Sequence, residues 1–158
     1  MPFIIVDLDG SLSNDSHRQA KRPTHSKNNE DWDAYHSLLH LDPVNWFIRD
    51  MIIDFGRRYP DSQVVLLTGR CAEQTRAATE SWLAIAGVRY DELIMKSKLD
   101  IEMRNSEFKR MAFQNYLLRT KQHYSDCMLA IEDLPEIIDL WKSYGIPVLQ
   151  VHQKEIVL

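Results

Sequence analysis

The sequence predicts an α/β fold in which a parallel sheet carries helices on both faces. Short, continuously apolar runs alternate along the chain with longer segments in which apolar residues recur at helical spacing. Runs of the first kind are typical of strands buried on both faces, and strands separated by helices pair in parallel. Three of these runs also end in polar side chains, as the strands of open α/β sheets do at their functional edge. The 158 residues are enough for one core, so we expect a single domain over residues 1–158.

The first strand is predicted to start at Phe3, in a run of β-branched and aromatic residues that ends in two carboxylates, Asp7 and Asp9, and a glycine. Side chains alternate along a strand, so the two aspartates share a face unless the chain turns between them, and Gly10 can supply that turn. Two neighbouring carboxylates stay ionised together only when a cation lies between them. Because hard divalent cations prefer oxygen ligands, this strand end predicts a magnesium site.

Residues 13–42 form a polar and irregular segment between the first strand and the first long helix. The segment is too long for a simple connection, so we interpret it as a small cap-like insertion, with a solvated loop as the alternative. Trp32, Tyr35 and the leucines at 38–39 recur at near-helical spacing, which indicates a short helix packed on the body. The basic side chains of the insertion are His17, Arg18, Lys21, Arg22, His25 and Lys27.

A helix is predicted over residues 43–59, because a proline opens it and basic residues followed by a second proline end it. Its predicted apolar stripe consists of Val44, Phe47, Ile48, Met51, Ile52 and Phe55. A second strand, over 63–67, leads into Thr68, Gly69 and Arg70. A hydroxyl and a glycine at the end of a strand can hydrogen-bond a phosphate oxygen beside the free amides of the next helix.

The second half of the chain continues the alternation. Helices are predicted over 72–86, over 106–118 and from Pro135 until Gly145 stops the helix, and strands over 92–95, 127–131 and 147–151. The residues of the middle helix expected to face the core are Phe108, Met111, Ala112 and Leu118. Lys109 lies in the first two turns of that helix, where a cation is unfavourable, which indicates another role, with a solvated lysine as the alternative. The strand at 127–131 ends in Glu132 and Asp133, a second acidic pair at the same predicted edge.

These features occur in the order of the four motifs of the haloacid dehalogenase superfamily of phosphohydrolases, which the chain resembles. The segment that resembles the first motif is Asp7-Leu8-Asp9-Gly10-Ser11, and Thr68, Lys109 and the acidic pair at 132–133 resemble the other three. The resemblance implies a phosphatase with the haloacid dehalogenase fold, a Rossmann-like sheet with a small insertion after the first strand. Over nearly its whole length the chain is most similar to the 3′-phosphatase domain of polynucleotide kinase/phosphatases. This similarity is carried by Arg18, residues 65–70, Lys109, residues 130–133, Trp141 and Gly145.

The resemblance implies a role for each matching residue. Asp7 would attack phosphorus to form an aspartyl-phosphate, and Asp9 would act as general acid and base. Thr68 and Lys109 would complete the catalytic set by holding phosphoryl oxygens. The substrate-binding residues would be Arg18, Gly69 and Arg70, with the arginines contacting either the substrate or the active-site carboxylates. The Mg²⁺ cofactor would be held by Asp7, Asp9, Glu132 and Asp133.

Two positions depart from the family pattern. Asn105 stands where an aspartate is usual four residues before the lysine, and this change is expected to loosen the positioning of Lys109. Glu132 stands where the first of two aspartates is usual, so we expect Asp133 to be the metal ligand of this pair.

The expected substrate is a nucleotide phosphomonoester, with the 3′-phosphate of a DNA or RNA end ahead of a free nucleoside monophosphate. The basic insertion favours a polynucleotide, whereas the net charge of −4 argues against broad adhesion to nucleic acid and favours the smaller ligand. Two alternatives are not enzymes: a phospho-receiver domain and a regulatory protein with an inactive phosphatase fold. Asp9 argues for turnover, because a receiver needs no acid/base two residues beyond its acceptor. A dehalogenase is disfavoured because that reaction uses neither magnesium nor the second aspartate.

Further features restrict the class of protein. No Gly-x-x-x-x-Gly-Lys-Ser/Thr motif occurs, so the sequence contains no nucleotide kinase module of that type. No apolar run approaches the length of a membrane span, which argues against a membrane partner. Cys71 and Cys127 show neither metal-binding nor disulfide spacing, so we expect reduced thiols and a cytoplasmic protein.

Overall fold

The computed structural model describes residues 1–24 and 28–156 and shows a five-stranded sheet covered by helices. The strands are β1 (Phe3–Val6), β2 (Gln63–Cys71), β3 (Glu92–Lys96), β4 (Cys127–Glu132) and β5 (Val148–Gln150). The helices are α1 (Asp33–His36), α2 (Trp46–Arg58), α3 (Ala72–Ala86), α4 (Asn105–Thr120) and α5 (Pro135–Ser143). All strands pair in parallel in the order β3-β2-β1-β4-β5, which confirms the predicted α/β class and places β1 at the centre.

Alternate residues of β1 contribute to two apolar cores, one on each face of the sheet. Ile4 and Val6 belong to a cluster with residues of α2 and α3, whereas Phe3 and Ile5 belong to a cluster with α4 and α5 that contains the fully buried Trp141. Successive side chains of a strand point to opposite faces, so a continuously apolar strand supplies both cores. The helices therefore cover both faces of the sheet, as predicted.

Two element boundaries differ from the prediction by more than two residues, and the others lie within two residues of it. Helix α2 begins at Trp46 rather than at Pro43, because Val44 pairs with Ser13 in an isolated antiparallel bridge and the chain is still extended there. Strand β2 continues past the predicted end at residue 67 and reaches Cys71. Hydrogen bonding between neighbouring segments, which sequence periodicity does not report, sets both boundaries.

Two apolar residues that the helical pattern assigns to the core are exposed. Phe47 is 69% exposed and Leu118 is 78% exposed. Phe47 precedes the buried Ile48, and Leu118 follows the buried Tyr116 by two positions. Residues one or two apart on a helix point in different directions, so the buried neighbour turns each of these side chains towards solvent. The prediction of a core position is wrong for both.

The described part of the segment at 13–42 consists of short helical turns. They are 3₁₀ turns at Ser16–Lys21, Glu30–Trp32 and Leu39–Leu41, together with α1. Tyr35 and Leu39 are buried, so this part of the segment packs against the rest of the chain. Two basic residues of the predicted insertion, His25 and Lys27, lie outside the described residues.

Within residues 1–24 and 28–156, no helix combines the length and the apolar character needed to cross a lipid bilayer.

Candidate active site

The carboxyl ends of β1, β2 and β4 lie side by side and bring the predicted site residues together. Asp7 follows β1 directly, Thr68 lies near the end of β2, and Glu132 is the last residue of β4. The parallel register of β1 with both neighbours places these side chains at the same edge of the sheet. Asp7 and Thr68 line a cavity of about 90 Å³, and Lys109 of α4 forms part of its wall.

Lys109 is buried between two carboxylates of this edge. Its Nζ lies 2.7 Å from Asp7 Oδ1 and 2.6 Å from Glu132 Oε2. Burial alone would lower the pKa of Lys109, but the carboxylates of Asp7 and Glu132 raise it above its ordinary value. Two buried ion pairs therefore offset the unfavourable position of this cation near a helix N-terminus.

Asp7, Glu132 and Asp133 form an acidic cluster in which one oxygen from each carboxylate lies within 4.8 Å of the others. Lys109 is the cation paired with this cluster, so three ionised carboxylates would leave two negative charges uncompensated. Burial and the neighbouring carboxylates raise the pKa of Asp7 to about 7 and that of Asp133 to about 9. The charge and the oxygen donors of the cluster therefore fit one hard divalent cation such as Mg²⁺.

The two acids at the end of β4 differ in how their oxygens are used. Glu132 accepts from Lys109 through Oε2 and from the backbone amides of Asp133 and Leu134 through Oε1, at 3.1 and 3.5 Å. Asp133 Oδ1 is buried and has no hydrogen-bond partner among the described residues. Because a cation ligand needs a free oxygen, this difference supports Asp133 as the ligand of the pair.

Gly10 makes room for Asp133 at the turn after β1. Its φ is +86°, a left-handed conformation that side-chain-bearing residues rarely adopt. A Cβ at this position would lie 2.1 Å from Asp133 Oδ2. A glycine here therefore allows the chain to turn and lets the Asp133 carboxylate approach Asp7.

The carboxylate of Asp9 is not part of the acidic cluster and is held by two arginines. Arg18 Nη2 and Arg70 Nη2 each lie 2.6 Å from Asp9 Oδ1. Arg18 also binds Asp42 with two bonds, from Nε to Oδ1 at 2.7 Å and from Nη2 to Oδ2 at 2.6 Å. Burial alone would raise the pKa of Asp9, but Arg70 and Arg18 lower it well below its usual range. Asp9, Asp42 and the two arginines thus form a charge-balanced group beside the acidic cluster.

The structure brings most of the predicted site residues to the cavity, including Asp7, Asp9, Thr68, Gly69, Arg70, Lys109 and Asp133. Of the four expected metal ligands, three form the acidic cluster, and the Asp9 carboxylate lies against the arginines instead. For Arg18 and Arg70 the resemblance implied contacts to substrate or to active-site carboxylates, and the structure contains the carboxylate contacts. A substrate contact for either arginine stays a prediction.

Asn105 faces a different lysine from the one named in the prediction. Its Oδ1 lies 3.5 Å from Lys96 Nζ, and a Cβ on Gly69 would come within 2.8 Å of the same oxygen. Within the described residues, no hydrogen bond links Asn105 to Lys109, which is held by its two carboxylates instead.

Sequence reasoning missed two residues of this region, Asp42 and Lys96. Asp42 has a fully buried side chain that binds Arg18 and lies 2.9 Å from His17 Nε2, yet in the sequence it only marks the end of the insertion. Lys96 is buried and lines the cavity, yet in the sequence it is an ordinary charged residue after an apolar strand. No spacing or composition signal distinguishes either residue.

Fold and site together define a phosphatase of the haloacid dehalogenase type, and the comparisons identify the family. The family described as the polynucleotide kinase PNKP phosphatase domain matches residues 2–155, so the chain belongs to that family. No curated protein matches the chain.

Solved structures show the same fold at low sequence identity. The chain is similar to one in the structure of the Pnkp1/Rnl/Hen1 complex, with a TM-score of 0.73, 23% identity and coverage of 99% of this chain and 47% of that chain. It therefore spans about half of that relative. A HAD family enzyme from Bacteroides thetaiotaomicron, in complex with magnesium and inorganic phosphate, gives a TM-score of 0.57 at 11% identity, over 98% of this chain and 95% of that one. A haloacid dehalogenase-like hydrolase from Streptococcus pneumoniae gives 0.58 at 13% identity, over 95% and 84%.

Proposed function

We propose that the chain is a Mg²⁺-dependent phosphatase that removes the 3′-phosphate from DNA or RNA ends through an aspartyl-phosphate. The observation that carries the proposal is the position of Asp7. Asp7 lines a small cavity with Thr68 and Lys109 and belongs to the acidic cluster with Glu132 and Asp133. A phosphoryl group in the cavity would meet a nucleophile, hydrogen-bond donors and a cation site together.

In the proposed reaction, a carboxylate oxygen of Asp7 bonds to phosphorus while the bond from phosphorus to the sugar oxygen breaks. Asp9 gives a proton to the departing oxygen and then takes one from the water that cleaves the aspartyl-phosphate. Lys109 and Thr68 hold phosphoryl oxygens throughout. Mg²⁺ held by Asp7 and Asp133, when bound, would neutralise the negative charge that the phosphate brings to the acidic cluster.

The cavity is smaller than a site that encloses a whole nucleotide, and it opens onto a groove. Sites that enclose a whole drug-sized ligand measure about 300–1,000 Å³, whereas this cavity measures about 90 Å³. It therefore has room for the phosphate and leaves the rest of the substrate outside. The cavity opens into a groove on the surface. The residues that line both the cavity and the groove are Gln19, Arg22, Trp32, Lys96, Ile101 and Asn105. The cations and the indole of this groove match the phosphates and bases of a single strand.

The predicted guidance of a polynucleotide by the basic insertion is best supported for one residue, Arg22. Arg22 lines the cavity and the groove, with its guanidinium 6.0 Å from the Trp32 ring centroid. Arg18 is buried against carboxylates, Lys21 is exposed, and Lys27 lies outside the described residues. Arg22 is therefore the insertion residue that we expect to contact the substrate backbone.

The test is a phosphate-release comparison of 3′-phosphorylated DNA and RNA oligonucleotides, 5′-phosphorylated oligonucleotides and nucleoside monophosphates. We expect the highest kcat/KM on the 3′-phosphorylated oligonucleotides. Arg22→Ala should lower that value several-fold and reduce the slope of log kcat/KM against log salt by about 0.7 for one lost contact with a single strand. Arg58→Ala is the matched control, because Arg58 is exposed at the C-terminus of α2. Preferred hydrolysis of nucleoside monophosphates would instead identify a nucleotidase.

A second prediction separates the two acids at the end of β4. Asp133→Asn should raise the magnesium concentration for half-maximal activity at least about tenfold, because it weakens a direct carboxylate ligand. Glu132→Gln should change this concentration less, because both Glu132 oxygens already accept protein hydrogen bonds. The measurement is a magnesium titration of activity, paired with the magnesium-induced rise in Tm. Equal shifts in the two variants would contradict the assignment.

A further inference from the structure

Lys96, at the end of β3, is a buried cation that neither the sequence motifs nor the proposed reaction uses. The residue is 5% exposed. Its Nζ donates to the Met103 carbonyl oxygen and lies 3.5 Å from Asn105 Oδ1, and both acceptors are uncharged. The ammonium also lies 5.9 Å from the centroid of the Phe108 ring. Since it has three N–H donors, one remains without a hydrogen-bond acceptor in the described part of the chain.

The other buried lysine and arginine side chains of residues 1–24 and 28–156 each pair with carboxylates. Arg18 and Arg70 bind Asp9, and Lys109 binds Asp7. Lys96 has no carboxylate oxygen within 4.0 Å among these residues. A buried charge without a partner of opposite sign is costly, so Lys96 is suited to pair with an anion that arrives with the substrate.

The position of Lys96 indicates which anion this is. The scissile phosphate would already meet Lys109, Thr68 and the cation site, whereas Lys96 lies on the wall shared by the cavity and the open groove. The carboxylates of Asp100 and Glu107 act on Lys96 electrostatically. Among the described residues, neither these two nor the groove carboxylates Glu102 and Glu136 form an ion pair with Lys96. The wall is where the phosphate next to a scissile 3′-phosphate would pass as the strand leaves the cavity.

We propose that Lys96 binds the phosphate adjacent to the scissile 3′-phosphate and so favours polynucleotide ends over nucleoside 3′-monophosphates. The inference rests on the proposed function, since it presupposes a 3′-phosphorylated substrate. Asn105 contributes by being uncharged: an aspartate at this position would give Lys96 a permanent carboxylate partner. Lys96 thereby acts as a specificity determinant beside the catalytic group.

The test uses three substrates that differ in the second phosphate: a nucleoside 3′-monophosphate, the corresponding nucleoside 3′,5′-bisphosphate and a dinucleotide with a 3′-phosphate. Wild type should prefer the bisphosphate and the dinucleotide to the monophosphate by roughly tenfold in kcat/KM, the size expected for one charge-assisted hydrogen bond. Lys96→Met should remove most of this preference through KM, and Lys96→Arg should retain it. Asn105→Asp, which leaves the lysine in place, should also reduce the preference.

Lys98→Met is the matched control, because Lys98 is an exposed neighbour on the same connection. A merely structural role for Lys96 would lower kcat/KM on all three substrates equally, and that result overturns the inference. The inference is also overturned if Lys96→Met keeps the wild-type preference for the bisphosphate and the dinucleotide. If wild type releases no phosphate from any 3′-phosphorylated substrate but hydrolyses other esters, the proposed function fails instead, so the two failures are distinguishable.

Discussion

Asp7→Asn is expected to reduce phosphate release by about 10⁴-fold or more, because an amide oxygen cannot form the proposed aspartyl-phosphate. Asparagine keeps the size of the side chain and can still face Lys109, so the variant changes the nucleophile and little else in shape. The loss should appear in kcat at saturating magnesium and substrate, with every phosphomonoester tested. The measurement is single-turnover phosphate release, accompanied by acid quench to detect phosphate bound covalently to wild-type protein.

A control on folding belongs to this experiment. Without magnesium, Asp7→Asn removes one of three neighbouring carboxylates that repel one another, two of them buried, so its free energy of unfolding in chelator should equal or exceed that of wild type. Asp139→Asn, at an exposed position of α5, is the matched control for activity. Activity of folded Asp7→Asn within tenfold of wild type would exclude Asp7 as the nucleophile.

The meeting of the site residues at one edge of the sheet could be predicted, because it follows from the order and direction of the strands. Asp7, Thr68 and Glu132 each lie at the end of an apolar run, and the carboxyl ends of parallel strands meet at one edge of a sheet. Lys109 could be singled out because a cation in the first turns of a helix opposes the helix dipole. In each case the local sequence carries the physical reason.

The separation of Asp9 from Asp7 could not be predicted in the same way. The direction of the Asp9 side chain depends on the turn at Gly10 and on Arg18 and Arg70, which come from two different parts of the chain. The bond between Arg18 and Asp42 joins the two ends of an irregular segment, where no periodicity reports on side-chain direction. Phe47 shows the same limit on a helix, because its apolar character does not indicate which face it occupies.

The arginines make Asp9 the most informative residue of the proposed reaction. They stabilise its ionised form, which suits a base that takes a proton from water. To give a proton to the leaving sugar oxygen, the Asp9 carboxylate must first be protonated, and its pairing with Arg18 and Arg70 opposes this. We therefore expect the acid role to require a substrate-bound arrangement in which these ion pairs are weakened.

Asp9→Asn should consequently show a loss of activity that depends on the leaving group. For a 3′-phosphorylated oligonucleotide, whose alkoxide leaving group needs a proton, kcat should fall by roughly 10²–10⁴-fold, the usual contribution of a general acid. For 4-nitrophenyl phosphate, whose leaving group is stable as an anion, formation of the aspartyl-phosphate should be little affected. The rate of the first turnover is measured through release of the alcohol or the nitrophenolate. It is compared between wild type and variant on both substrates.

Hydrolysis of the aspartyl-phosphate, the second step of the proposed reaction, tests the same variant independently. Without a base to deprotonate water, Asp9→Asn should accumulate phosphate bound to Asp7 when supplied with 4-nitrophenyl phosphate, seen as a burst of nitrophenolate and acid-stable labelled protein. A double variant that also carries Asp7→Asn should give neither burst nor label. If the first turnover slows equally on both substrates, Asp9 is not the general acid. Its ion pairs with Arg18 and Arg70 then indicate that Asp9 holds the active site in position.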